Sequence, residues 1–184
     1  MNVSLQTSRG EVRIREANPN DAVEFRELRL YALQDSPTAF SADYQKNLSH
    51  SAQYWEDLLT MHPDESTIFL AAHETSLIGA TGIVRGGTPK TRHSATVWGV
   101  YVRPEWRGLH IAETLINACF TWARTRAIVA ARLGVTATNT SAIRCYERCG
   151  FTITGMEPRA LYYNGQYHDF YMMYCALERT ETTK

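Results

Sequence analysis

The sequence lacks the features that define several large classes of protein. Its 184 residues carry 19 basic and 19 acidic side chains, so no net charge attracts nucleic acid or an anionic membrane surface. No apolar run approaches the roughly 20 residues that span a bilayer, and residues 1–10 lack the apolar centre of a signal peptide. We therefore expect a cytoplasmic protein whose partners are neither nucleic acids nor membranes.

Cysteine is scarce, and its spacing does not indicate a metal site. The four cysteines are Cys119, Cys145, Cys149 and Cys175. Cys145 and Cys149 would share one face of a helix, but the chain has no Cys-x-x-Cys motif and no histidine pair nearby. We interpret all four as free thiols packed as small apolar side chains, and we predict no bound metal.

Internal repeats and low-complexity linkers are also absent, so the length is most simply that of one domain. We expect a flexible leader over residues 1–10, a single domain over 11–178 and a flexible tail over 179–184. Apolar periodicity within the domain predicts an α/β fold whose mixed sheet has about seven strands flanked by about four helices. The predicted strands are 12–16, 67–73, 77–85, 92–102, 132–137, 151–154 and 170–176. The first predicted helix follows the start signal at 18–21 and stops around 36–37, and the others are 51–61, 111–126 and 141–148.

One junction between a strand and a helix has the composition of an anion site. The stretch VYVRPEWRGLHIA, residues 100–112, places Arg107-Gly108 immediately before the helix predicted from Ile111. A helix start presents unpaired N–H groups, and glycine lets a ligand approach the backbone closely. A phosphate cradle is one interpretation, and a simple turn with a solvated arginine is the other. Neither a Walker motif nor a G-x-G-x-x-G fingerprint is present.

Two segments together resemble the GNAT superfamily of acyl-CoA-dependent N-acetyltransferases. VRPEWRGLHIA, residues 102–112, is similar to the family's signature V-x-P-x-x-R-G-x-G-I-G/A. NTSAIRCYERCGF, residues 139–151, is similar to its second signature, N-x-x-A-x-x-x-Y-x-x-x-G-F. The signatures occur in the family's order, and the predicted elements follow the family from Val12 to about Leu177.

The resemblance implies a GNAT fold in which two neighbouring parallel strands splay apart and acetyl-CoA lies between them. The strands would be the one ending at Val102 and the one over residues 132–137. The pantetheine arm would pair with the backbone of Val100, Tyr101 and Val102. Asn139 would lie near the pantetheine. The pyrophosphate would lie on the N–H groups of the loop and helix start, which are those of Arg107, Gly108, Leu109, His110, Ile111 and Ala112.

The implied reaction is attack of a neutral amine on the thioester of acetyl-CoA, which serves as a cosubstrate. Tyr146 matches the general acid that protonates the departing thiolate, and it would also contact the cosubstrate. The base is left open among a water chain, His73, Glu74 and Asp169, because residues 96–102 contain no carboxylate. The amine acceptor is also open, and a homodimer is one assembly that the sequence allows. The alternative function is a non-catalytic module that binds acyl-CoA or docks a partner on the same fold.

His110 stands where the family usually has the second glycine of its loop. Two roles are open for this side chain. It could point to solvent as a tolerated substitution, or its imidazolium could supplement the helix start as a phosphate contact.

Overall fold

The computed structural model describes residues 2–60 and 64–177. Within these ranges the chain forms an open eight-stranded sheet in the order β1-β2-β3-β4-β5-β6-β8-β7. The strands are β1 Asn2–Thr7, β2 Gly10–Glu16, β3 Ser66–His73, β4 Ser76–Arg85, β5 Ser94–Val102, β6 Ala130–Thr136, β7 Thr152–Tyr163 and β8 Gln166–Ala176. All neighbouring strands are antiparallel except β5 and β6, which are parallel. The α/β class and the mixed sheet are thus confirmed.

Five α-helices accompany the strands in the described ranges. They are α1 Ala22–Asp35, α2 Tyr44–Leu48, α3 Ala52–Thr60, α4 Ile111–Arg124 and α5 Thr140–Arg148. No helix there is long and apolar enough to cross a membrane.

Two apolar cores lie on opposite faces of the sheet. On one face, α4 packs its fully buried residues Leu115, Ile116 and Cys119 against β2 to β5. On the other face, α1 and α3 cover β3 and β4 through side chains that include Phe25, Leu28 and Trp55. Burial on both faces explains why β3 reads as a continuous apolar run, and it fixes the register of the central strands.

The flexible leader expected over residues 1–10 is wrong for residues 2–7, which are ordered in a strand. Residues 2–7 form β1, which pairs antiparallel with β2 from Asn2 opposite Arg15 to Thr7 opposite Gly10. The hydroxyl of Thr7 donates to the Gly10 carbonyl at 2.7 Å and closes the turn between the strands. The expected tail over residues 179–184 lies outside the described residues.

Two further segments differ from the predicted elements. The segment predicted as a loop over residues 38–49 contains α2, whose first turn is capped by the Asp43 side chain accepting from the Lys46 N–H at 2.7 Å. The strand predicted over residues 151–154 extends to Tyr163 as β7. Its pairing with β8 shifts register twice, and Arg159 takes a left-handed conformation in the second irregularity. Such bulges interrupt the alternation from which strands are predicted.

Candidate active site

The site begins where β5 and β6 separate. Their parallel pairing covers only Ser94 to Thr96 opposite Ala130 to Arg132, and both strands continue for several residues beyond it. The opening leads into a cleft of about 460 Å³. The predicted splay between these two strands is therefore present in the structure.

The free edge of β5 forms one wall of this cleft. Val100, Tyr101 and Val102 line it, while Tyr101 and Val102 pair on their other side with Ala80 and Gly79 of β4. Past Thr96, β5 has no ladder partner on the β6 side. Backbone donors and acceptors on that edge can therefore pair with an extended ligand, as an added strand would.

Unpaired backbone donors lie at the start of α4. Residues 108–112 donate no backbone N–H hydrogen bond to any described residue, and the N-cap residue His110 makes no side-chain cap. Gly108 has a φ of +79°, and a Cβ there would meet nothing within 4 Å. These open donors at the N-terminus of a 14-residue helix fit a phosphate group.

The Arg107 guanidinium is already bonded to protein groups. Its Nη2 donates to Asp35 Oδ2 at 2.6 Å, and its Nε donates to the Val102 carbonyl at 3.0 Å. The Tyr101 hydroxyl donates to the same Asp35 oxygen at 3.1 Å. Burial raises the pKa of Asp35, but hydrogen bonds from Arg107, Ser36 and Tyr101 together lower it by more. The net pKa lies below the ordinary value, so the carboxyl stays ionised. Arg107 thereby fastens the loop to the C-terminal end of α1.

The helix start carries a second charged cluster. Glu113 Oε1 accepts from Arg148 Nη2 at 2.6 Å and lies 3.2 Å from His110 Nδ1. His110 is 72% exposed through its side chain, whereas Glu113 is 17% exposed. Arg144 also lines the cleft, and it forms no ion pair with a described residue. It is thus the cleft arginine most available to an anionic ligand.

Helix α5 places Asn139 and Tyr146 on the opposite wall. Asn139 caps the helix, because its Oδ1 accepts from the Ala142 N–H at 3.2 Å. Tyr146 is 8% exposed and packs edge-on against Phe151, with ring centroids 6.1 Å apart. Burial above all, then the neighbouring thiols of Cys145 and Cys149, raise the pKa of the Tyr146 phenol well above its ordinary value. The phenol therefore keeps its proton at neutral pH.

The three side chains predicted as possible bases do not line the cleft. His73 Nδ1 is 3.0 Å from the Glu11 carbonyl oxygen, and Asp169 accepts from the Arg159 N–H at 2.8 Å. Glu74 lies in the turn between β3 and β4. Glu113 does line the cleft. Burial raises the pKa of its carboxyl, but the contacts with Arg148 and His110 lower that pKa by more, so it lies below its ordinary value. Its carboxylate is thus held in an ion pair.

The structure brings to the cleft all but one of the residues predicted to contact the cosubstrate. Leu109 is the exception, because its side chain packs on the apolar core. Sequence reasoning missed the contribution of Asp35, which no local pattern signals because its contacts are tertiary. It also missed several other residues that line the cleft. The missed residues are Ser36, Ala39, Trp106, Glu113, Ser141, Ala142, Arg144, Cys145 and Arg148. Those on α5 could have been found from helical spacing after Asn139.

In the described ranges, no three His, Cys, Asp or Glu side chains converge as a metal site would require. The four cysteines are free thiols, and Cys119, Cys145 and Cys175 are buried. Their interpretation as packed thiols is confirmed for these three. Cys149 is partly exposed at the end of α5.

Comparison with known proteins identifies the family. Residues 28–151 match the model of the Acetyltransferase (GNAT) family. A curated relative, the L-amino acid N-acetyltransferase AaaT of Escherichia coli (strain K12), is 28% identical over 127 residues, which cover 67% of this chain and 75% of the relative.

Solved structures show the same fold. A GNAT-family acetyltransferase from Streptococcus pneumoniae superposes with a TM-score of 0.80 at 22% identity, covering 91% of this chain and 99% of that one. YncA of Salmonella typhimurium, solved with its cofactor acetyl-CoA, gives a TM-score of 0.73 at 19% identity, covering 94% and 98% of the two chains.

The backbone at His110 generates a testable prediction. His110 has a φ of +60°, in the left-handed region that favours glycine. We expect His110→Gly to be more stable than His110→Ala by about 1 kcal/mol, since both variants lose the contact with Glu113 and only alanine is strained there. Urea unfolding of both variants measures the difference.

The control is the same pair of substitutions at Asn117, an exposed position within α4. There Asn117→Ala should be the more stable variant, by about 1 kcal/mol, because the backbone is helical. An alanine variant at 110 as stable as the glycine variant would show that the left-handed backbone imposes no cost.

Proposed function

Because the chain belongs to the GNAT family of acetyltransferases, and is thus an acetyl-CoA-dependent N-acetyltransferase, we propose that its acceptor is a primary amine of a small molecule or peptide that attacks the thioester directly. The observation that carries this proposal is the shared cleft. Open backbone donors at the start of α4, the free edge of β5 and the protonated Tyr146 all border the same space.

In this proposal, acetyl-CoA binds along both walls of the cleft. The backbone of Val100 to Val102 pairs with the pantetheine arm, and Asn139 lies beside it. The N–H groups of residues 107–112 hold the pyrophosphate, with those of 108–112 supported as donors because no described group accepts from them. Arg144 is proposed as a contact for a phosphate of CoA, since it is exposed at the cleft and no described residue forms an ion pair with it.

Bound acetyl-CoA supplies the acetyl group as an activated thioester. Tyr146 holds a proton on Oη and donates it to the departing sulfur. A phenol suits this role, because it is protonated at neutral pH and a general acid must be protonated before it acts. The described side chains that line the cleft include no free carboxylate, so we propose that water carries away the proton of the amine.

The first test in solution is binding of the cosubstrate. A ligand that binds only the folded protein stabilises it by about 2.7 kcal/mol at a hundredfold excess over its dissociation constant. We therefore expect CoA and acetyl-CoA to raise the melting temperature. Pantetheine, which lacks the pyrophosphate, should produce a smaller shift at the same concentration. An unchanged melting temperature at millimolar CoA would remove the proposed cradle.

Tyr146→Phe tests the proposed acid. The substitution keeps the ring in the core and removes the proton, so turnover should fall by about 10²- to 10⁴-fold while the dissociation constant of CoA changes little. Release of the CoA thiol measures turnover, and thermal shift measures binding. Tyr174→Phe removes a hydroxyl from an exposed position on β8 and serves as the control. Full turnover in Tyr146→Phe would contradict the assignment.

The acceptor class is tested by screening a panel of primary amines for release of the CoA thiol. At least one amine should release thiol faster than water does. CoA binding without release from any amine would instead support the alternative, a non-catalytic acyl-CoA module.

We also propose a homodimer formed through β7 and β8. β7 is the outer strand at its end of the sheet, and this hairpin exposes several large apolar side chains: Ile153, Met156, Tyr162, Tyr163, Tyr167, Met172 and Tyr174. Unpaired edges and contiguous apolar patches favour association. Light scattering should give the mass of two chains for the native protein and of one for Met156→Glu. Val23→Glu, at a 71% exposed position on α1, should leave the dimer intact. A native mass of one chain would contradict the dimer.

We place the reaction in the cytoplasm on the sequence features alone.

A further inference from the structure

Arg29 is a partly exposed arginine whose Nη1 atom is buried without a hydrogen-bond partner among the described residues. It lies on α1, facing β4 and β5, in a small cavity lined also by Phe25, Thr81, Trp98 and Tyr101. Its Nη1 is shielded from solvent and makes no hydrogen bond to a described residue. The contact that the guanidinium does make is with the ring of Phe40, whose centroid is 4.8 Å from Cζ.

No described carboxylate neutralises this charge. Burial lowers the pKa of the guanidinium to about 10, and the Tyr54 phenol is the group that acts in the opposite direction. The side chain is therefore still a cation at neutral pH. A donor atom shielded from water without a partner is costly, and proteins usually hydrogen-bond such groups. An arginine kept in this state within the fold needs an explanation other than stability.

The backbone next to Arg29 leaves room at the guanidinium. Gly99 has a φ of +66°, and a Cβ there would lie 3.5 Å from Arg29 Nη1. The pairing of β4 with β5 shifts register close by, between Ala80 and Gly82. The space is about 10 Å³, which suffices for about one water molecule or one ligand oxygen.

This space adjoins the cosubstrate cleft. Tyr101 lines both the cavity and the cleft, and Phe40 packs on the guanidinium while also lining the cleft. An acceptor molecule that enters the cleft from the side of α1 would therefore approach the Arg29 cation. The other arginine near this end, Arg107, is already paired with Asp35.

We propose that Arg29 binds the carboxylate of the acceptor, so that the acceptor class is amines that also carry a carboxylate, with α-amino acids as the simplest members. The proposal rests on the acetyltransferase function proposed above. One carboxylate oxygen takes the water-sized space at Nη1. A single guanidinium matches the single charge of a carboxylate, and a charge-assisted hydrogen bond is stronger than a neutral one.

The first experiment uses the native protein and a panel of L-amino acids, each paired with its own amide. The kcat/KM for each acceptor is measured by release of the CoA thiol. Carboxylic acids should exceed their amides by about 10- to 100-fold, the range expected for a hydrogen-bonded charged pair. The amine of an amino-acid amide is less basic and so is more often neutral, which by itself would favour the amide. A preference for the acid therefore reports the carboxylate.

The second experiment compares variants by the ratio of kcat/KM for an acid to that for its amide. Arg29→Gln should lower this ratio by about 10- to 100-fold, mainly through KM of the acid, and Arg29→Lys should restore part of it. Arg26→Gln is the matched control. Arg26 lies on the same helix and donates to the Leu48 carbonyl at an exposed site, so its substitution should leave the ratio unchanged.

A third measurement needs neither turnover nor a variant. With CoA bound, 3-phenylpropionate should raise the melting temperature of the native protein, and 3-phenylpropionamide should not. Any of three results would overturn the assignment of Arg29. They are equal kcat/KM values for acids and amides, a parallel loss of both in Arg29→Gln, and equal thermal shifts with both deaminated ligands. Failure of the acetyltransferase function is distinguished from this, because it would leave CoA without a thermal shift or every amine without thiol release.

Discussion

The functional architecture depends on the early parting of two parallel strands. β5 and β6 pair over three residues each and then diverge, although main-chain donors and acceptors buried without partners are costly. Each strand is held instead by its outer neighbour, since Val102 still pairs with Gly79 of β4 and Thr136 still pairs with Phe170 of β8. The gap is therefore a fixed feature of the sheet, and its edges offer hydrogen bonds that a bound chain can complete.

Contacts across the gap are made by side chains rather than by the strand backbones. The Thr136 hydroxyl donates to the Thr38 carbonyl at 2.5 Å, which ties β6 to the turn after α1. On the other wall, Asp35 at the end of α1 receives both Tyr101 of β5 and Arg107 of the loop. The end of α1 and the turn after it thus contact both of the separating strands. This arrangement leaves the backbone N–H groups before α4, rather than the Arg107 side chain, as the open donors of the loop.

Local patterns in the sequence predicted the central part of the fold. β3 to β5 and α4 carry long apolar runs or stripes, and their packing agrees with those local preferences. β1 was missed because its pairing depends on the Thr7 to Gly10 turn and not on strong apolar alternation. The Asn139 and Tyr146 positions were predicted from a motif. The Asp35 to Arg107 pair joins residues 72 positions apart, and no local signal reports such a contact.

The contrast between two arginines shows where stability alone does not account for the structure. Arg107 has a side chain that is 49% exposed, so water could solvate it, yet it has a carboxylate partner at 2.6 Å. The Nη1 of Arg29 is shielded from solvent, where a partner would lower the free energy of folding more than at the surface, and no described carboxylate pairs with it. Selection for stability alone would favour the opposite allocation. A site that must accept an anionic ligand requires an unpaired cation, because a resident carboxylate would occupy the same hydrogen-bonding positions. The unpaired charge of Arg29 beside the cleft is therefore best understood as part of the site.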